Sequence, residues 1–118
     1  MKLLLDTHAL LWFLAGDERV PPETRALSAA SAWEVATKVR LGKLSGAELL
    51  AQEFPVEIAR RGFLPLPITL EHAQRAGFLP GPHKDPFDRM LIAQAQAENL
   101  RLVSNETMFD RDGVVRVW

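Results

Sequence analysis

The sequence predicts an α/β fold, with helices packed around a mostly parallel central sheet. Three observations carry that expectation. Leu3-Leu4-Leu5 is a short, all-apolar run of the kind that lies in a parallel sheet buried on both faces. Further short apolar runs at 63–68, 101–104 and 114–118 are separated by stretches with helical periodicity and helical caps. The chain has 118 residues, 47% hydrophobic and 25% charged, enough for one domain, 1–118, with its own core.

In chain order, Asp6-Thr7-His8 ends the first strand and Ala9 to Leu14 begins a helix, with Gly16 as its stop. Pro21-Pro22 reads as a short helical start that dissolves into Arg25-Ala26-Leu27. Ser31-Ala32-Trp33-Glu34 has capping-box spacing, and Ala32, Val35, Ala36 and Val39 then form one buried stripe ending at Gly42. Helices follow over Ala47–Glu53 and Pro55–Arg61. Phe63–Ile68 carries Pro65 and Pro67, so it can serve only as a short or edge strand. Thr69 caps a helix to Ala76, closed by Gly77. Asp85-Pro86 pairs an N-cap with proline at the first helical position and opens a helix to about Glu98, which Asn99 ends in the left-handed conformation. Arg101–Ser104 is a strand, a short helix follows, and Val114–Trp118 is the closing strand.

Composition narrows the chemistry. No cysteine is present, which excludes zinc–thiolate sites, disulfides and thiol nucleophiles. No apolar run approaches the roughly 18 residues of a membrane span, and the N-terminus reads as a strand rather than a signal peptide, so a cytoplasmic protein is expected. The net charge is −1, with 14 basic and 15 acidic residues. Nucleic acid would therefore have to be held by a local basic patch, a metal or a second subunit rather than by bulk charge.

Parallel sheets place ligand sites beyond the carboxyl ends of their strands. Asp6 lies there after the first strand, and Glu106 lies just past the strand that ends at Ser104. Glu34 and Asp88 are expected in the first turns of their helices, where both can face the same crevice. Converging acids repel one another unless a cation is present. Magnesium takes oxygen ligands, acidifies bound water and neutralises charge on phosphate oxygens, which is the chemistry of phosphodiester hydrolysis. Structural roles stay open for each residue: Asp6 and Asp85 as N-caps, Glu34 as the last member of its capping box, Asp88 as a capping partner of Asp85 or a dipole-compensating acid. Thr7, Ser104 and Asp85 are secondary candidates for the site. Lys38, Arg40, Lys43, Lys84 and Arg89 are candidates to hold phosphates, with solvated surface charge as the alternative. His8, His72 and His83 share no metal-ligand spacing and are left outside the site.

Four blocks resemble VapC-type PIN domains. These are Leu4-Leu5-Asp6-Thr7-His8-Ala9-Leu10-Leu11-Trp12, the run from Ser28 through Glu34 to Leu44, the run from His83 through Asp85 and Asp88 to Ala95, and Leu102 to Phe109. The resemblance implies a three-layer α/β/α PIN-like fold and an endoribonuclease dependent on Mg2+, with Mn2+ able to substitute. It also implies a homodimer, an RNA substrate and a VapB-like antitoxin that blocks the site. Asp6, Glu34 and Asp88 match the family's metal-site acids, with Glu106 as the fourth catalytic acid. Two departures stand out. Glu106 occupies a position where the family usually has Asp. The stretch between Pro22 and Ser28 is short, and the strand that should precede Ser28 is barely encoded; either the chain is naturally trimmed there or a segment is missing, and the latter is favoured because losing an interior strand of a parallel sheet should be severely destabilising. Two other classes compete with the toxin nuclease. One is a PIN-like module that binds RNA or protein without cutting. The other is a phosphoryl-transfer domain, disfavoured because Asp6-Thr7-His8 lacks a second Asp and no mid-chain strand ends in a phosphorylatable one.

Overall fold

The computed structural model describes residues 3–16 and 24–118. The helical start expected at Pro21-Pro22 lies outside these residues. Among the described residues five strands form one sheet in the order β3-β2-β1-β4-β5: β1 Leu3–Leu5, β2 Arg25–Ser28, β3 Leu64–Leu66, β4 Arg101–Val103 and β5 Arg116–Val117. Every pairing is parallel. Among the described residues six α-helices connect them: α1 Thr7–Leu14, α2 Ala29–Arg40, α3 Glu48–Gln52, α4 Phe54–Arg60, α5 Leu70–Phe78 and α6 Pro86–Glu98. A 3-10 turn over Thr107–Asp112 precedes β5. Among the described residues no helix is long and apolar enough to cross a membrane.

The pleat sorts alternate strand residues onto two cores. Leu3, Leu5, Leu27 and Val103 face one way and pack with Ala9, Leu10, Val35, Phe54 and Ile58 from α1, α2 and α4. Leu4, Ala26 and Leu102 face the other way and pack with Leu91, Ile92 and Ala95 of α6 and with Phe109. The result is three layers, helices on both faces of the sheet, as the sequence predicts. Leu3 to Leu5 have no exposed surface, in keeping with a central strand paired on both edges.

The strand at Arg25–Ser28 corrects the expectation that an interior strand is missing. Ala26 and Leu27 are buried on opposite faces, and β2 pairs with β1 on one side and β3 on the other. The guanidinium of its opening residue, Arg25, lies over the Phe13 ring, 4.5 Å from its centroid, a cation–π contact between the strand and α1. Local propensity for this strand is weak, and its two neighbours impose it. The proline-bearing β3 sits at the sheet edge as expected.

The α2 start is a second correction. The helix begins at Ala29, with Ser28 as N-cap, its Oγ accepting the Ala30 N–H at 2.9 Å. Ser31, expected to be the cap, is buried inside the helix. Of the expected stripe, Val35 is buried, Ala32 and Val39 pack partly against the core, and Ala36 is exposed. Helix α6 matches its caps: Asp85 accepts from the N–H groups of Phe87 and Asp88, and Asn99 has φ 54°. Helix α5 runs on through Gly77 to Phe78 rather than stopping at Ala76.

Candidate metal and phosphate site

The strand order reverses around β1: the chain leaves β1 for β2 on one side and reaches β4 on the other. The crevice at the carboxyl ends of β1 and β4 is therefore the switch point at which parallel sheets expose a site. Asp6 follows β1 directly. It caps α1, its Oδ1 accepting the Ala9 N–H at 2.7 Å, so the capping role holds without excluding another. Burial pushes the Asp6 carboxyl above its usual 3.8, opposed by a hydrogen bond from the Ser104 side chain, by the Ala9 N–H and by His8, and reinforced by Glu106. Ser104, at the end of β4, is fully buried, and its Oγ also accepts the Glu106 N–H at 3.0 Å. That contact sets the direction in which the chain leaves the strand.

Because α2 starts at Ala29, Glu34 lies in the second turn rather than at the helix entrance, and it is buried. A capping role is therefore ruled out, and the side chain instead faces the crevice. Both of its oxygens are held. Oε1 accepts the Thr7 hydroxyl at 2.5 Å and Oε2 accepts Lys38 Nζ at 2.7 Å. Burial works against the Lys38 charge, but the hydrogen bond and attraction of Glu34, helped by Asp85 and Asp88, outweigh it and raise the Lys38 pKa.

Asp88, the third residue of α6, carries the clearest electrostatic signature. Its pKa is raised from 3.8 to about 7 by burial first, then by the charges of Asp85, Glu106, Glu34 and Asp6. Four carboxylates thus press on a fifth. All five line one polar pocket of about 80 Å³, together with Thr7, His8 and Lys38. An oxygen-rich, anion-crowded pocket of this kind fits a small hard dication in both donor type and charge.

Within the pocket the tightest donor group differs from the expected acids. Asp6, His8 and Glu106 each present a ligand atom, all within 4.8 Å of one another, and among the described residues no other group of three reaches that spacing. His8 Nδ1 lies 3.3 Å from Glu106 Oε1. The histidine, left outside the site by its lack of ligand spacing along the chain, lines the same pocket as the acids. Its signal in the sequence is its place two residues past a strand-end acid, in the first turn of the helix that acid caps.

The basic candidates divide. Lys38 lines the pocket, whereas Arg40, Lys43 and Lys84 are exposed and outside its lining. Arg89 is corrected. Its guanidinium donates to the carbonyls of Ala76, Gly77, Leu79 and His83 at 2.6–3.3 Å, gathering the end of α5 and the following loop onto α6. With its donors committed to backbone, it is a clamp between elements and not a phosphate ligand.

Comparison with known proteins gives a consistent picture. The PIN domain family matches residues 3–113. No curated protein sequence matches. Among solved structures, the VapBC2 complex of Rickettsia felis bound to a promoter DNA fragment aligns with TM-score 0.71 and 18% identity, covering 99% of this chain and 98% of that one. FitAcB of Neisseria gonorrhoeae aligns with TM-score 0.72 and 20% identity over 98% and 96% of the two chains. VapC20 of Mycobacterium tuberculosis, a toxin that cleaves the sarcin–ricin loop, aligns with TM-score 0.72 and 15% identity over 98% of each. At these identities the likeness is one of fold.

Proposed function

Since the chain belongs to the PIN domain family, we propose that it is a divalent-metal-dependent endoribonuclease, the toxin half of a VapBC-like toxin–antitoxin pair. The observation that carries the reading is the crowding of five carboxylates at the switch point, strong enough to hold Asp88 near pH 7. A fold that maintains such repulsion without a counter-ion would lose stability for nothing, and a cation resolves it. Asp6, Glu34 and Asp88 are the residues proposed to hold Mg2+ or Mn2+, directly or through its water, with Glu106 as the fourth acid of the site. When bound, such an ion supplies positive charge to the phosphate and acidifies the water beside it.

The remaining groups prepare that site. The Ala9 N–H and Ser104 fix the Asp6 carboxylate at the strand end. Thr7 and Lys38 fix both oxygens of Glu34. Lys38 also places an ammonium at the pocket wall, where it can meet a phosphate oxygen of the incoming strand, and Asp85 orders the first turn that carries Asp88. With a net charge of −1 the chain has little long-range pull on RNA, so the ion and Lys38 together would supply the local positive potential. For the partner we propose an antitoxin of the VapB kind, and for the assembly a homodimer in the cytoplasm. The reading is supported by the toxin–antitoxin complexes among the structural neighbours. It is also supported by an apolar groove of about 430 Å³, lined by residues including Ala32, Phe54, Ile58, Pro65 and Leu66, which offers a protein partner hydrophobic surface to bury.

The test is cleavage of a structured RNA by purified protein, with Mg2+ or Mn2+ and with excess EDTA. Cleavage confined to the metal-containing reactions is expected. Undiminished cleavage in EDTA would remove the metal from the mechanism. RNA binding with no cleavage under any divalent ion would favour a PIN-like binding module.

A further inference from the structure

The acids matched to the metal role are all oxygen donors, yet the tightest donor group in the pocket includes an imidazole. We propose that His8 is a metal ligand alongside Asp6 and Glu106, and that this nitrogen makes the centre prefer Mn2+ over Mg2+. The inference rests on the nuclease reading above and adds to it a ligand and an ion preference.

Spacing is the first support. Around a six-coordinate ion with bonds of about 2.1 Å, adjacent ligand atoms lie about 3.0 Å apart and opposite ones about 4.2 Å apart. His8 Nδ1 and Glu106 Oε1 are 3.3 Å apart, and the whole trio fits within 4.8 Å. Displacements of a few tenths of an ångström bring all three into one coordination sphere.

Placement is the second. The three residues come from separate anchors: Asp6 from the end of β1, His8 from the second position of α1, and Glu106 from the turn after β4, where Ser104 holds its backbone N–H. The imidazole is half-exposed and has an aromatic neighbour. It stacks on the Trp12 ring at 5.9 Å and 24°, and Trp12 in turn meets Trp118 edge-on at 5.0 Å. An aromatic support of this kind orients the ring before an ion arrives and lowers the ordering cost of binding. The extra methylene of Glu106 acquires a purpose here, since it extends the carboxylate from the turn to the ring nitrogen.

Donor chemistry is the third. Carboxylates suit Mg2+ and Mn2+ alike, whereas imidazole favours transition ions, and Mg2+ gives up its water reluctantly for any protein ligand. A site that adds one imidazole to its carboxylates therefore separates the two ions through the nitrogen alone.

The experiment uses the full chain and its His8→Ala variant, with Mn2+ and Mg2+ themselves as probes. Calorimetry gives the two affinities, and pulsed electron paramagnetic resonance on the Mn2+ complex reads directly whether a nitrogen is bound. The expected result is nitrogen modulation in the wild type that disappears in His8→Ala. Mn2+ affinity should fall roughly tenfold or more in the variant while Mg2+ affinity stays within about twofold. If His8→Ala folds poorly, His8→Gln serves for the same comparison. Mn2+ binding without nitrogen modulation would overturn the role of His8 and leave an all-carboxylate centre. Modulation that persists in His8→Ala would also overturn it, assigning the nitrogen to another residue. If neither Mn2+ nor Mg2+ binds, the metal reading of the function itself is refuted, and this inference with it.

Discussion

Replacing Asp88 by asparagine separates a metal site from a helix cap, because the two roles give opposite signs for stability. The Asp88 carboxyl is held at about 7 in the folded chain against 3.8 in the unfolded one, by burial and then by Asp85, Glu106, Glu34 and Asp6. A folded pKa raised in an acid means that the native state binds the proton more tightly. Stability is therefore fully present below about pH 4, falls as pH rises through the interval up to about 7, and remains low above it. The full separation corresponds to about 4 kcal/mol. Asp88 is partly open to solvent, and screening reduces this to about 1–2 kcal/mol. Asparagine removes the repulsion but also removes a negative charge from the first turn of α6, a loss of about 0.5 kcal/mol. The net expectation above pH 7.5, in EDTA, is a gain of about 1 kcal/mol, or about 3–6 °C in melting temperature for a chain of this size. At pH 5 the wild-type carboxyl is protonated in the native state and the difference should shrink toward zero. Magnesium should raise the wild-type melting temperature more than that of Asp88→Asn, since binding to the native state alone stabilises it. Thermal melts from pH 5 to 8.5, with and without Mg2+, read all of this. An Asp88→Asn protein that melts below wild type at every pH would return the residue to a purely structural role.

Two further substitutions probe the scaffold around the site. Arg89→Lys keeps the charge but loses the planar fork that gathers four carbonyls; it is expected to cost about 2–4 kcal/mol in denaturant unfolding, and equal stability would show that the clamp is dispensable. Lys38→Met leaves Glu34 buried without its cation; a loss of about 1–2 kcal/mol is expected from urea titrations at pH 7.5, and unchanged stability would show that the ammonium is dispensable to the fold.

Much of the fold was legible from local signals. The Leu3–Leu5 run announced a central strand, Pro65 and Pro67 an edge strand, and Asp85-Pro86 with Asn99 both ends of α6, because burial on two faces, a missing N–H donor and helix capping are properties of a few neighbouring residues. The place of Asp6 was legible for the same reason: an acid directly after an all-apolar strand lies at the carboxyl end of the sheet, where it lines the polar pocket. The resemblance to PIN domains named the acids, while periodicity alone left each open to a capping role.

Other features depended on partners distant in sequence. Arg25-Ala26-Leu27 is a strand because β1 and β3 flank it and Phe13 receives its arginine, none of which a local reading contains. The serine that caps α2 was misread because Ser28 and Ser31 are equivalent as local signals. The pairing of Ser28 with Leu66 ends the strand, starts the helix three residues earlier and turns Glu34 into the pocket. Arg89 reads as a surface cation until α5 brings its open carbonyls alongside. His8 lacks any ligand spacing along the chain, and becomes part of the donor group only when the turn after β4 carries Glu106 to its ring. Strands, caps and turns are decided over a few residues by backbone sterics and local hydrogen bonds, so the sequence alone displayed them. Charge convergence is decided by the order in which β1, β2 and β4 lie side by side, which exists only once the chain has folded.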